Sequence, residues 1–315
     1  MAENKSVVFA ALVANAAIAA LKFGGFLLTG SPSMLSETYH SVSDTGNQVF
    51  LLVGIRYSEK PATQAHPFGY GRAQFFYSFL VSVLLFGIAG WESLKHGYES
   101  LTHGGGHGGA ASVAVPGVGE VDPVWVNVVV LLGAVAFESY AFREASAELR
   151  RQIAEYDWSG FREAFRRTSD VTTLTAFTED AVALGGAVLA LVGVGLTELT
   201  GNETFDAATA VLIGALLMGF ALALAWQNKR LLLGESLAPA VEDDLRRVAA
   251  DHDGVAHVDG LRTVFIGPQK VLVTADVSFD PDYSTGAIDD AIGALEAELE
   301  AADDRVATVY VEPEV

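Results

Sequence analysis

The sequence contains no cysteine. That excludes a disulfide frame, a thiolate zinc finger and a cysteine nucleophile together. Basic residues are scarce: 19 Lys and Arg stand against 39 Asp and Glu, a formal net charge of −20 over 315 residues. This balance repels a phosphate backbone, so nucleic acid is excluded as a partner. Charge of either sign is low at 18%, against 51% hydrophobic residues. The mean hydropathy is +0.34. These values exclude a disordered acidic polymer and disfavour an ordinary soluble enzyme. No Ser/His/Asp set is visible, and no His-Glu-x-x-His motif with its general base, so the chain is not expected to be an enzyme. The first apolar stretch is followed by no small-residue cleavage site, so no cleavable signal peptide is expected.

What is present is distributed unevenly. Gly234–Val315 holds 19 acids and 5 bases, a net charge of −14, which leaves −6 for the apolar first three quarters. The chain therefore divides into an oily domain, 1–232, and a compact acidic one, 233–315. An acid-rich, lysine-poor surface also points to a halophilic source, because high net charge keeps a protein soluble in salt.

A bilayer-spanning helix needs about 20 mostly apolar residues. Six stretches qualify: Ser6–Leu28, Ser33–Tyr57, Ala73–Leu94, Pro123–Ala141, Val171–Leu196 and Phe205–Trp226. An even number of spans puts both termini on one side. The loops on that side carry Lys5, Arg56, Lys60, Arg72, Arg143, Arg150, Arg151, Arg162, Arg166, Arg167, Lys229 and Arg230, whereas the opposite loops carry Lys95. By the positive-inside rule the termini are cytoplasmic and the chain is a multi-pass protein of the cell membrane, with lipid as its surroundings. Arg143–Asp170 reads as a charged, helix-patterned connection. Pro239–Val315 reads as an αββαβ unit: a helix near Ala240–Asp251, strands near Val255–Ile266 and Lys270–Phe279 meeting at Gly267-Pro268, a helix after Ser284 and a strand at Arg305–Val311. Val271, Val273, Ala275, Val277 and Phe279 alternate onto one strand face. Ile288, Ile292, Leu295 and Leu299 recur at helical spacing. This order suits a ferredoxin-like fold.

Charged groups inside a membrane are costly and so are functional candidates. His40 and Asp44 in the second stretch share a helix face by their i, i+4 spacing. Imidazole nitrogen with carboxylate oxygen is a ligand pair for Zn²⁺ or a similar divalent ion. Glu179 and Asp180 lie within the fifth stretch, about 100° apart around the helix, so both need not face one ion. Together the four residues could supply a tetrahedral site; alternatively they act as helix–helix glue.

Other groups carry a choice between structure and function. Lys22 could pair with another buried charge, sit near the ion path or snorkel, and structure is favoured for it. Glu138 could relay protons or guide ions. Asn47 could line the path or bond a neighbouring helix. His103–His107 is read as a flexible linker rather than a metal collector. Asp251, His252, Asp253 and His257 are read as a solvated face rather than a regulatory metal site.

The stretch Thr29–Asn47, TGSPSMLSETYHSVSDTGN, resembles the first loop and second helix of the cation diffusion facilitator family, with its His-x-x-x-Asp motif. His66–Arg72, HPFGYGR, resembles the loop leading into that family's third helix. The charged link, the turn at Asn202–Ala208 and the αββαβ tail follow in the same order, so the resemblance covers nearly the whole chain. It implies a homodimer that exports divalent cations, chiefly zinc, in exchange for protons by alternating access. It also implies metal-site roles for His40, Asp44 and Asp180, with no prosthetic group. The sequence departs from the pattern in span five. Ala176 stands four residues before Asp180 where the family has His or Asp, and Glu179 stands beside Asp180 instead. Phe177–Ala181, FTEDA, is similar to the subgroup that includes a mitochondrial zinc exporter. One His with up to three carboxylates is a harder set than two His with two Asp, which admits Mn²⁺, Fe²⁺ or Co²⁺ beside Zn²⁺. A second departure is at Thr63, His66 and Tyr70, where some family members hold a second zinc; only His66 is a ligand type, so no second site is expected. The reading from a different class is a membrane metal sensor or scaffold that does not transport.

Overall fold

A computed structural model describes residues 2–103, 112–115, 119–168 and 170–314. The chain forms two compact units. The first comprises Met1–Val53, Tyr77–Arg166 and Thr172–Gln227; the second comprises Gly54–Phe76, Arg167–Val171 and Asn228–Val315.

Helix α1 (Ala2–Thr29) ends where Gly30 takes φ +68°, a conformation that glycine adopts without penalty. Helix α2 (Pro32–Ser58) starts at once, with proline in its first turn, where no donor is needed. Helix α3 (Ala73–Leu84), a π-helical turn (Leu85–Gly90) and α4 (Trp91–His103) form one rod. Helix α5 (Pro123–Glu155) is capped by Asp122, whose carboxylate accepts from the Val124 N–H at 3.0 Å. It runs without a break into the charged connection, which also holds the short α6 (Phe161–Arg167). Helices α7 (Val171–Thr200) and α8 (Thr204–Leu233) follow. Strands β1 (Val113–Val115) and β2 (Gly119–Val121) pair antiparallel before α5. Gly104–His107 lie outside the described residues, so the reading of His103–His107 is left as it was.

Among the described residues four segments are long and apolar enough to cross a membrane: Ala73–His103, Pro123–Glu155, Ala176–Thr200 and Thr204–Leu233. The described apolar part of α1, Asn15–Thr29, is shorter. Helix α2 is long enough but not among the four, and its burial pattern shows why. Ser33, Ser36, Glu37, His40, Ser41, Asp44 and Asn47 are buried, while Val42, Val49 and Val53 are exposed. Its polar face points inward and its apolar face outward, the reverse of a water-soluble helix. Several of its hydroxyls are satisfied within the helix: Ser36, Thr38 and Thr45 donate to carbonyls one turn back.

The apolar core of this unit joins Met34, Leu85, Leu131, Val182, Ile213 and Leu217 from five elements. Small residues let backbones approach. A β-carbon on Gly90 would meet Met218, and one on Gly97 would meet Val211 at 2.7 Å.

The second unit contains the expected αββαβ order: α9 (Pro239–Asp251), β3 (Val255–Gly267), β4 (Lys270–Phe279), α10 (Thr285–Ala302) and β5 (Val306–Glu314). The sheet order is β3-β4-β5, the first pair antiparallel and the second parallel. Val271, Val273, Ala275, Val277 and Phe279 are all buried, as their alternation requires, and Leu295 and Leu299 of α10 close the core over them. Ser284 caps α10 by accepting from the Ala287 N–H at 3.3 Å.

The segment before α3 is built into this unit. The loop HPFGYGR, which leads into α3, makes the contacts. Arg72 Nε donates to the Phe265 carbonyl at 3.2 Å, Phe75 joins the αββαβ core, and Gly71 lies against the backbone of Ile266 and Gly267.

Candidate functional site

Helix α2 supplies the centre of the polar region. His40 Nε2 stands 3.4 Å from Asp44 Oδ2, within ion-pair range but without hydrogen-bond geometry. Both ring nitrogens of His40, and Asp44 Oδ1, therefore remain buried without a hydrogen-bond partner. Buried polar atoms left unpaired are costly, so these three mark His40 and Asp44 as candidates for function.

Helix α7 faces it with Glu179, which is buried and accepts from Asn47 Nδ2 at 2.7 Å. Asn47 is thus the helix–helix tie that was one of its two readings. Asp180 is half-buried. Glu138 of α5 is buried, and Asp44, Glu138, Glu179 and Asp180 are close enough to interact electrostatically. The four expected residues thus share one region, with Glu138 as a further acid. Among the described residues no three His, Asp or Glu side chains stand close enough together to hold one ion.

Lys22 does not snorkel. It is fully buried, its ammonium 2.8 Å from Glu37 Oε2 and 2.9 Å from Ser41 Oγ. Glu37 is a residue the sequence reading missed. Its signal was available, since one cation and one unassigned acid stood in adjacent spans and intramembrane charges pair. Glu37 Oε1 has no partner and lies where a β-carbon on Gly186 of α7 would sit. Asp206 of α8 was missed too. It accepts from Ser31 Oγ at 2.6 Å and from Ser33 Oγ, joining α8 to the start of α2.

In the second unit, Thr63, His66 and Tyr70 do come together. Thr63 Oγ1 is 3.3 Å from Tyr70 Oη, and the His66 and Tyr70 rings are 4.3 Å apart. This is an aromatic and hydroxyl cluster with a single metal-ligand side chain. His252 Nδ1 pairs with Glu298 at 3.0 Å.

A helical unit with membrane-length apolar segments and buried acids beside an unpaired imidazole is followed in the chain by an αββαβ unit. Residues 8–233 match the cation efflux transmembrane domain and residues 237–314 match the cation efflux protein, cytoplasmic domain. The chain belongs to the cation efflux family, the cation diffusion facilitators that its motifs resemble. Among its relatives is the human mitochondrial proton-coupled zinc antiporter SLC30A9, 28% identical over 274 residues, covering 87% of this chain and 46% of that protein. The mouse counterpart is 30% identical over 274 residues, with the same coverage. Metal tolerance protein C4 of Arabidopsis thaliana is 25% identical over 283 residues, covering 88% of this chain and 57% of that protein. The chain thus spans about half the length of these curated relatives.

Proposed function

We propose that the chain is a secondary-active exporter that carries Zn²⁺ out of the cytoplasm in exchange for protons, by alternating access. The observation that carries this is the donor set left open on α2: the two ring nitrogens of His40 and Oδ1 of Asp44, buried and unpartnered beside Glu179 of α7. His40, Asp44, Glu179 and Asp180 form the transport site. They close around the ion as it binds. Metal binding needs neutral imidazole and ionised carboxylates, so protons arriving from the other side compete with the ion and favour its release. Six helices cross the membrane, α2 among them with its polar face inward. Residues 1–232 are the transport domain, and 233–315 are a cytoplasmic ferredoxin-like domain that pairs two subunits. Both termini are cytoplasmic.

The test is Zn²⁺ flux into proteoliposomes under an imposed pH gradient, at high salt, for the wild type, Asp44→Ala and Asp180→Ala. Gradient-dependent flux that both substitutions abolish is the expected result. Flux that survives both sinks the site. Absence of flux for Zn²⁺, Mn²⁺, Fe²⁺ and Co²⁺ from folded protein replaces transport with the sensor or scaffold reading. Competition among those ions ranks them against the harder donor set.

A further inference from the structure

Lys22 is the buried cation of the transmembrane unit that the transport reading leaves without a task. Its neighbours Leu21 and Phe23 are exposed, 62% and 47%, so α1 turns the lysine inward and the apolar side chains outward. Its ammonium has two near partners, Glu37 and Ser41. Ser41 follows His40 directly and stands three residues before Asp44, so the charge lies on the metal-site side of Glu37. Asp44 of α2 and Glu138 of α5 also lie within electrostatic reach of it. The same region holds Glu179 and Asp180. One ammonium thus serves a neighbourhood in which carboxylates outnumber it, and acids left in a membrane interior without a cation are costly. A divalent ion arriving among those acids is attracted by them and repelled by Lys22.

We propose that Lys22 is a tethered counter-cation of the transport site. It is the cation the acids face when no metal is bound, and its repulsion holds metal affinity low enough for release. This rests on the transport site proposed above. Lys22 is a positioning residue in this scheme: it touches no ligand of the ion and acts through charge. A mere tie between α1 and α2 would contribute stability without opposing the metal.

The test combines Zn²⁺ titration of the purified full chain at one fixed pH with KM and kcat for Zn²⁺ flux in proteoliposomes. The variants are Lys22→Met, Lys22→Arg and Asp44→Asn. With a repelling unit charge removed from the neighbourhood of a divalent ion, Lys22→Met is expected to bind Zn²⁺ tighter by about tenfold or more. Its KM falls and its kcat falls with it, because release slows. Lys22→Arg keeps the charge and stays near the wild type. If Lys22→Met does not fold, Lys22→Gln removes the charge while keeping a donor for Glu37 and Ser41, and carries the same prediction. Binding by the Lys22→Met or Lys22→Gln variant that is no tighter than wild type overturns the proposal. Asp44→Asn separates the two readings. If it keeps full Zn²⁺ affinity, the site itself is wrong and both fall. If it loses affinity while Lys22→Met gains none, the tethered cation alone falls.

Discussion

Two glycine-to-alanine substitutions in the second unit are expected to act in opposite directions. At Gly71 a β-carbon would collide with the Ile266 carbonyl oxygen and lie 2.9 Å from Gly267 Cα. Both obstacles are backbone atoms in the β3–β4 hairpin, so no side chain can rotate away. The loop must lift, and the neighbouring Arg72 bond to the Phe265 carbonyl goes with it. Overpacking of this kind costs about 1–3 kcal/mol, and the lost hydrogen bond adds about 1 kcal/mol. At Gly286, in the first turn of α10, a β-carbon meets nothing within 4 Å. Alanine there restricts the unfolded chain and stabilises by about 0.5–1 kcal/mol. The assay is hydrogen exchange on the full chain in detergent, read at the amides of β3, β4 and α10. Gly71→Ala should speed exchange around Phe265–Lys270, and Gly286→Ala should slow exchange in α10. Equal behaviour of the two variants would refute the close approach of Gly71 to the hairpin.

Two further expectations come from single contacts. Asn47→Ala leaves Glu179 Oε1 buried without its 2.7 Å donor, which should cost about 1–3 kcal/mol of thermal stability in detergent; Asn47→Asp, setting a second carboxylate there, should cost more. In the acidic unit, burial pushes the Asp303 carboxyl up, but the Arg305 guanidinium and backbone N–H outweigh it and hold it below its ordinary value. A depressed value in the folded state contributes stability above the unfolded value and loses it as pH falls through the folded one. Asp303→Asn should therefore lower the melting temperature at neutral pH, by a margin that shrinks once the pH drops below the ordinary value of 3.8.

Local periodicity carried much of this molecule. His40 and Asp44 could be placed on one helix face because their spacing alone fixes it, and β4 showed its buried face through strict alternation. The C-terminal element order followed for the same reason. What escaped was long-range. That buried charges pair made Glu37 a candidate for Lys22, but local pattern does not fix the pair, since helices of a bundle can rotate about their axes and the partner lies 15 residues away. The Ser31–Ser33–Asp206 link depends likewise on which helices pack together. The contacts of HPFGYGR with the backbone of β3 leave no trace in side-chain pattern. Helix α2 was read as apolar enough to span, yet its buried face is the polar one. The same residues that make it a candidate site remove it from the apolar class.

Helix α5 can be considered mechanically. Its 33 residues make a rod about 50 Å long, while a bilayer's hydrocarbon core is about 30 Å thick. The rod is therefore roughly 20 Å longer than the hydrocarbon core. Glu138 is buried among the acids, and the helix ends 17 residues later at Glu155. Pivoted at Glu138, a tilt of about 10° would sweep that end through roughly 4–5 Å. A small tilt about that point would thus be magnified at the charged stretch carrying Arg150 and Arg151, with no hinge needed in between.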